Sequence, residues 1–508
     1  MSQGSGFQVV RGGRLLDAAR HGAAPADILI AGDTIREVGA PGMDAPAGAR
    51  AIDASDRLLM PGLVNAHTHG HGALAKGMGD RWSLELLLNA GPWLSGSRTL
   101  DDKHLAALLN AAEMVRKGCT AAYDLYFEVP LPTTEGIAAV ARGYADVGVR
   151  AVIAPMMADR LFYDAVPGLS DALPAPLRTR LERVRAAPYE ESVAVSREIL
   201  HGWQFDRAQA RPALAPTIPL HCSDDFIVAC RDLAREYEVG VHMHLAESKV
   251  QAVSGIERYG RTLAAHIDGL GVLGPGFTGA HCVWLDDDDI ARLADNGASV
   301  AHNPGSNMRL GSGIAPVRAM LARGLNVGIG TDGSNCSDNQ NMFEAMRFAS
   351  FASRVQSPEC ETWLATDEVL RLATEGSARA LGFGDAIGRI APGYKADIVF
   401  LDLANVNYLP LNDAVNQVVH CEDSSAVERV MIGGRMVLEG GRLTTIDEAR
   451  LRRDVEAAVE RLEAAGAGAR DLALALEDAV GRYCVGLARR PYHIHRTVVQ
   501  AEGGDVHS

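Results

Sequence analysis

Over about 320 central residues, short apolar runs alternate with amphipathic stretches, and this alternation narrows the fold more than any single motif. Runs rich in small and β-branched residues fall near 62–67, 119–125, 150–155, 212–218, 240–245, 277–282, 298–303 and 326–331. Between them, stretches such as 101–117, 224–238, 287–296 and 338–354 place apolar residues at helical spacing. Strands joined through helical crossovers form a parallel sheet, because parallel neighbours need a connection long enough to return to the same edge. Eight such units predict an α/β fold, a (β/α)8 TIM barrel over 61–386, whose chemistry would sit at the carboxyl ends of its strands.

The flanks read differently. Residues 1–60 and 387–445 are strand-like runs broken by turns such as Gly12-Gly13, Gly32-Asp33 and Gly433-Gly434, which predicts one small β-sandwich assembled from both chain ends. Residues 446–508 form a C-terminal extension, Ala/Leu/Glu/Arg-rich and helical to about 487, with a β-like stretch at 491–499. The connection at 160–187 is too long for a minimal barrel and is expected at its mouth, as a lid or part of a substrate wall.

Composition excludes several function classes. A formal charge of -15, from 49 basic and 64 acidic residues, repels phosphate backbones and anionic membranes, so neither nucleic acid nor a membrane is an expected partner. The eight dispersed cysteines include no C-x-x-C pair, and the start lacks a basic segment leading into an apolar one. Both point to a cytoplasmic protein with reduced thiols.

Against this background, four groups of residues close predicted strands one, five, six and eight: Asn65-Ala-His67-Thr-His69, His244-Leu-Ala-Glu247, Gly279-Ala-His281-Cys and Gly330-Thr-Asp332-Gly. Residues at i and i+2 of a strand point the same way, so His67 and His69 can face one ion. His242 and His244 share a face in the same manner; His244 is nearer the strand end, and His242 is the candidate supporting histidine. Glu247 follows the strand, where it either reaches a reacting water or opens the next helix as an early-turn carboxylate. His71 continues the period of His67 and His69 beyond Gly70, and His493-Ile-His495 in the tail is discounted for want of a carboxylate nearby. Three imidazoles and a carboxylate at strand ends are what one divalent metal needs, and Glu247 and His281 remain for acid–base work.

The motifs resemble those of the amidohydrolase superfamily, in the branch containing cytosine and guanine deaminases. The chain is most similar there to S-adenosylhomocysteine/5′-methylthioadenosine deaminases and triazine hydrolases. The likeness spans about 7 to 445 and rests on Met60-Pro-Gly-Leu-Val-Asn-Ala-His-Thr-His, His-Leu-Ala-Glu, Ala301-His-Asn-Pro-Gly-Ser-Asn-Met-Arg-Leu, Gly330-Thr-Asp-Gly and Gly388-Arg-Ile-Ala-Pro-Gly-Tyr-Lys-Ala-Asp. It implies that His67, His69, His244 and Asp332 bind one metal, zinc first and iron or manganese as alternatives. Glu247, His281 and Asp332 are implied as catalytic, with Asn303, Ser306 and Asn307 lining the pocket. Binuclear relatives carry a bridging lysine after the fourth strand; Ala215-Pro-Thr-Ile-Pro-Leu-His-Cys has none, so a mononuclear site is expected. Relatives of this kind are commonly dimers or tetramers, so a homo-oligomer is expected.

The activity implied is hydrolytic deamination of an aminated N-heterocycle of purine, pyrimidine, pterin or triazine type. Asp332 would take the proton of a water, Glu247 would protonate a ring nitrogen, and His281 would polarise the reacting centre. The same site could instead hydrolyse an amide, urea, carbamate or chloro-substituted ring. A non-catalytic scaffold is the remote alternative. Trp82, Trp93 and Phe162 are aromatic candidates for stacking on a ring, with packing as their competing role.

Overall fold

A computed structural model of the chain describes residues 6–181 and 186–497. The parallel strands Leu63–Thr68, Cys119–Phe127, Arg150–Met157, Ala210–Pro212 with Ala215–Pro216, Val241–Leu245, Phe277–His281, Ser299–His302 and Asn326–Ile329 follow one another in that order. Nearly all their residues are buried, as expected for strands covered by helices on one side and by barrel interior on the other. A parallel bridge from Leu214 to Val241 joins the fourth strand to the fifth. Closure between the last and first strands uses one backbone bond, Asp332 N–H to the His67 carbonyl at 2.9 Å. Side chains complete that seam: Asn65 Oδ1 accepts from Thr331 N–H at 3.0 Å, and its Nδ2 donates to Thr331 Oγ1 at 2.7 Å. Gly330 is required there, since a Cβ would stand 2.3 Å from Asn303 Oδ1 and 2.8 Å from His67 N.

The crossover helices owe their positions to capped starts and one apolar face. Ser223 caps Asp224–Tyr237 through Phe226 N–H, and Phe226, Ile227, Cys230, Leu233 and Ala234 turn inward at i, i+1, i+4, i+7 and i+8. Thr99 and Asp102 form a reciprocal capping box ahead of Leu100–Arg116.

The two chain ends meet in one nine-stranded sheet in which Arg57–Pro61 pairs antiparallel with Ile398–Asp402. The sheet curls until Ile35 N–H donates to the Tyr394 carbonyl at 2.8 Å, enclosing Val10, Ile28, Ile30, Leu59, Ile398 and Phe400. Arg150, on the third barrel strand, reaches Asp397 beside this sheet through Nε at 3.3 Å and Nη2 at 3.1 Å.

The tail is a single helix, Glu448–Ala488, capped by Asp447. It lies against the helix Leu84–Ser95 and the connection after the third strand, where Phe162, Val166, Leu476 and Val480 share a cluster. That connection forms the short helices Phe162–Ala165, Leu169–Ala172 and Ala175–Leu181, and its residues 182–185 lie outside the described residues. The β-like reading of 491–499 fails for 491–497, which form bends without a strand, while 498 and 499 lie outside the described residues. Isolated contacts hold this stretch instead of a ladder: Ile314 N–H donates to the Arg496 carbonyl, and the Arg496 guanidinium donates to the Val283 and Leu285 carbonyls. No described helix is long and apolar enough to cross a membrane.

Candidate active site

The four sequence groups converge at the carboxyl end of the barrel. Nε2 of His69 and Nε2 of His244 are 3.1 Å apart, and Asp332 Oδ1 stands 3.3 Å from His69 Nε2 and 3.5 Å from His67 Nε2. Left-handed backbone aims two of the groups: His281 and Asp332 have φ of 67° and 64°, a region that non-glycine residues adopt uncommonly.

Second partners decide the tautomers. His69 Nδ1 lies 2.7 Å from the Leu125 carbonyl oxygen, and His244 Nδ1 lies 2.8 Å from that of Thr217. A carbonyl only accepts, so each Nδ1 carries the proton and each Nε2 presents a lone pair. Two lone pairs therefore face each other at 3.1 Å with no proton between them. Buried His67 Nε2 lacks a hydrogen bond of ordinary length, while its Nδ1 stands 3.2 Å from His242 Nε2. Burial drives the His67 pKa down to about 3, and burial with the neighbouring imidazoles drives His244 well below its ordinary value. Neutral nitrogens converging beside a carboxylate form a donor set that fits one divalent cation, which would also relieve the facing lone pairs.

Two carboxyls in the same cavity are held in opposite states. Burial, then the negative charges of Asp332 and Glu85, push the Glu247 carboxyl well above its usual range. Burial also opposes ionisation of Asp332, but its long hydrogen bond with His67 and its interactions with the neighbouring imidazoles of His281 and His69 hold it well below. His281 Nε2 lies between them, 3.7 Å from Glu247 Oε2 and 3.7 Å from Asp332 Oδ2. A carboxyl kept neutral next to one kept ionised is an arrangement for moving protons in both directions.

The remaining candidates separate into neighbours of the site and residues away from it. Asn307 Oδ1 is 2.8 Å from His281 Nδ1, and Asn303 Nδ2 is 3.4 Å from His281 Nε2. Both asparagines and Ser306 are buried behind His281 and are not among the residues lining the cavity. Trp82 and Trp93 are also absent from the lining; they pack edge to face at 6.2 Å with Ala75, Ala90 and Leu94 around them. Phe162 does line it, and so does His71, whose Nδ1 accepts from Phe127 N–H at 3.2 Å. The half-exposed tail histidine His493 pairs with Asp286 at 2.8 Å, remote from the cluster in sequence and in partners.

Several contributors carried no sequence signal. Gln340 accepts from Thr68 Oγ1 at 2.9 Å and from Thr331 Oγ1 at 2.6 Å, and donates to the Asp332 carbonyl at 2.8 Å. It thereby ties the strand bearing His67 and His69 to the turn bearing Asp332. Thr217 and Leu125 act through their backbone carbonyls, which no residue type advertises.

A parallel eight-stranded barrel with this histidine and aspartate constellation at its carboxyl end defines a class of metal-dependent hydrolases. Residues 58–437 match the model of the amidohydrolase family, and this chain belongs to that family. It is 35% identical over 458 residues to the 5′-deoxyadenosine deaminase of Methanothermobacter thermautotrophicus, covering 89% of this chain and 98% of that one. Among solved structures it resembles an adenosine deaminase from Xanthomonas campestris with bound zinc, at 28% identity and a TM-score of 0.79 over 90% of this chain and 98% of that one. It also resembles the zinc complex of atrazine chlorohydrolase from Arthrobacter aurescens, at 26% identity and a TM-score of 0.78 over 89% of this chain and 99% of that one.

Proposed function

We propose that this protein hydrolytically deaminates an aminated N-heterocycle, with His67, His69, His244 and Asp332 holding one zinc ion. The observation that carries the reading is the convergence of His67, His69, His244 and Asp332 at one end of the barrel, with His281 Nε2 placed 3.7 Å from both Glu247 Oε2 and Asp332 Oδ2. A zinc ion held by these residues would supply Lewis acidity, which favours hydrolytic attack by water near neutral pH. Asp332 takes the proton of the attacking water. Glu247 delivers its own proton to the ring nitrogen beside the carbon under attack, so that the ring can accept the electron pair. Asn307 holds the proton of His281 on Nδ1, which aims Nε2 at the space between Glu247 and Asp332 where the water and the ring carbon meet. Return of a proton to the exocyclic nitrogen releases ammonia and leaves the ring carbonyl.

The likeness to 5′-deoxyadenosine and adenosine deaminases supports a ring amine as leaving group. The likeness to a chlorohydrolase supports a second reading, in which the same residues displace another substituent from the ring. An ammonia-release screen of aminopurines, aminopyrimidines, pterins and aminotriazines on the zinc-loaded protein tests the first reading, with mass spectrometry of every product. Ring-amine hydrolysis that falls by 10²–10⁴ in Glu247→Gln, with zinc content unchanged, is the expected result. Products that retain the amine and lose another group would replace it with the second.

A further inference from the structure

The cavity extends outward from the buried histidines and encloses about 390 Å³, within the range of small-molecule sites. Its walls include three parts of the chain that meet only in the folded state, beside the loop Phe127 to Pro132 after the second barrel strand. Leu84 and Leu88 belong to the helix Leu84–Ser95, Phe162 to the connection after the third barrel strand, and Leu472 and Ala473 to the C-terminal helix.

Two of the polar groups along these walls, Glu128 and Asn89, are already engaged, while His221 beside Phe162 and Asn335 Oδ1 deeper in the cavity keep unpaired polar atoms. Glu128 accepts from Thr133 N–H at 3.1 Å and Thr133 Oγ1 at 2.7 Å, and it pairs with the Lys103 ammonium. Asn89 donates to the Ala473 carbonyl at 2.9 Å and accepts from Tyr163 Oη at 2.9 Å. Among the described residues, Glu128 is the one carboxylate lining the cavity apart from Glu247 and Asp332. A sugar placed here would lose water from its vicinal hydroxyls without finding a free carboxylate to accept from them, whereas an alkyl or aryl group gains from the same walls.

We propose that the ring attacked carries an uncharged apolar substituent of several carbons, seated against Leu84, Leu88, Phe162 and Leu472, where a nucleoside carries its sugar. This rests on the deamination reading above for the ring, and on the walls alone for the substituent. The C-terminal helix is thereby a specificity element: Leu472 and Ala473 furnish a wall, and the Ala473 carbonyl fixes Asn89.

The test offers the zinc-loaded enzyme aminopurines and aminopyrimidines bearing ribosyl, butyl or benzyl at the same ring nitrogen. Turnover is read as ammonia release and product mass, and affinity by calorimetry on the Glu247→Gln protein. The butyl and benzyl compounds are expected to exceed the ribosyl one in kcat/KM by roughly tenfold or more. Leu472→Asn should reduce that ratio about tenfold, and Leu88→Asn provides the same reading if the first variant does not fold. A ribosyl compound processed as well as the apolar ones overturns the proposal and leaves the deaminase standing. Tighter binding of the apolar compounds without any ammonia overturns the deaminase and supports the apolar chamber. Neither turnover nor a difference in binding overturns the chamber as well.

Discussion

Asp397→Leu should destabilise the protein more than any comparable surface change, because it strands a buried cation. Arg150 and Asp397 have side chains only 4% and 2% exposed. The carboxylate accepts from Arg150 Nε at 3.3 Å, from Nη2 at 3.1 Å and from Gly433 N–H at 2.7 Å. Removing it leaves the guanidinium with the Ala208 carbonyl as its one hydrogen-bond acceptor. Breaking a buried pair on one side costs about 3–5 kcal/mol, most of it the desolvation of the charge left behind. Removing both charges is a different perturbation. Arg150→Met combined with Asp397→Leu leaves Gly433 N–H without its acceptor and the carbonyl of exposed Ala208 without its donor, a loss of about 1–2 kcal/mol. Urea unfolding of the holoenzyme, followed by circular dichroism and by tryptophan fluorescence, measures both. Because the pair joins the barrel to the curled sheet, the single variant should also separate the two transitions. A single variant costing under about 1 kcal/mol, or a double variant costing as much as the single one, would refute the reasoning.

Removing the metal with a chelator should lower thermal stability, since zinc present at a hundredfold excess over its dissociation constant contributes about 2.7 kcal/mol; an unchanged melting temperature at full zinc loss would count against the donor set. Asn307→Leu should lower kcat by roughly 10–100-fold with zinc content intact, because His281 loses the acceptor at Nδ1 that sets its tautomer; equal losses of zinc and activity would instead place Asn307 in metal retention. Burial raises the Asp289 pKa to about 6 from the ordinary 3.8. The folded state therefore holds this proton longer than the unfolded chain, and stability falls between pH 3.8 and 6 by about 3 kcal/mol, then levels. Comparing urea midpoints at pH 4.5 and 7 with those of Asp289→Asn should show a weaker decline in the variant.

Local pattern made most of the fold legible. The barrel strands and crossover helices announce themselves through periodicity, which survives without knowledge of neighbours, and their observed positions agree with expectation to within a few residues. The histidine and carboxylate groups were legible for the same reason: strand alternation places His67 with His69 and His242 with His244, and barrel topology places strand ends together. The stretch at 491–497 misled because alternation predicts a strand only where a partner edge is available, and here isolated side-chain contacts replace it.

Sequence alone thus determined the architecture of the centre and the residues gathered there, because both follow from spacing along the chain. Tertiary structure decided which surfaces face the substrate. Trp82 and Trp93 turn to each other instead of the cavity, and Asn303 and Asn307 stand behind His281. Leu472, nearly four hundred residues from Leu84 in sequence, shares a wall with it. Tautomers were likewise set by the carbonyls of Leu125 and Thr217, groups that every residue possesses and only packing can aim. Such choices depend on distances between segments remote in sequence, and those distances exist only once the core has closed.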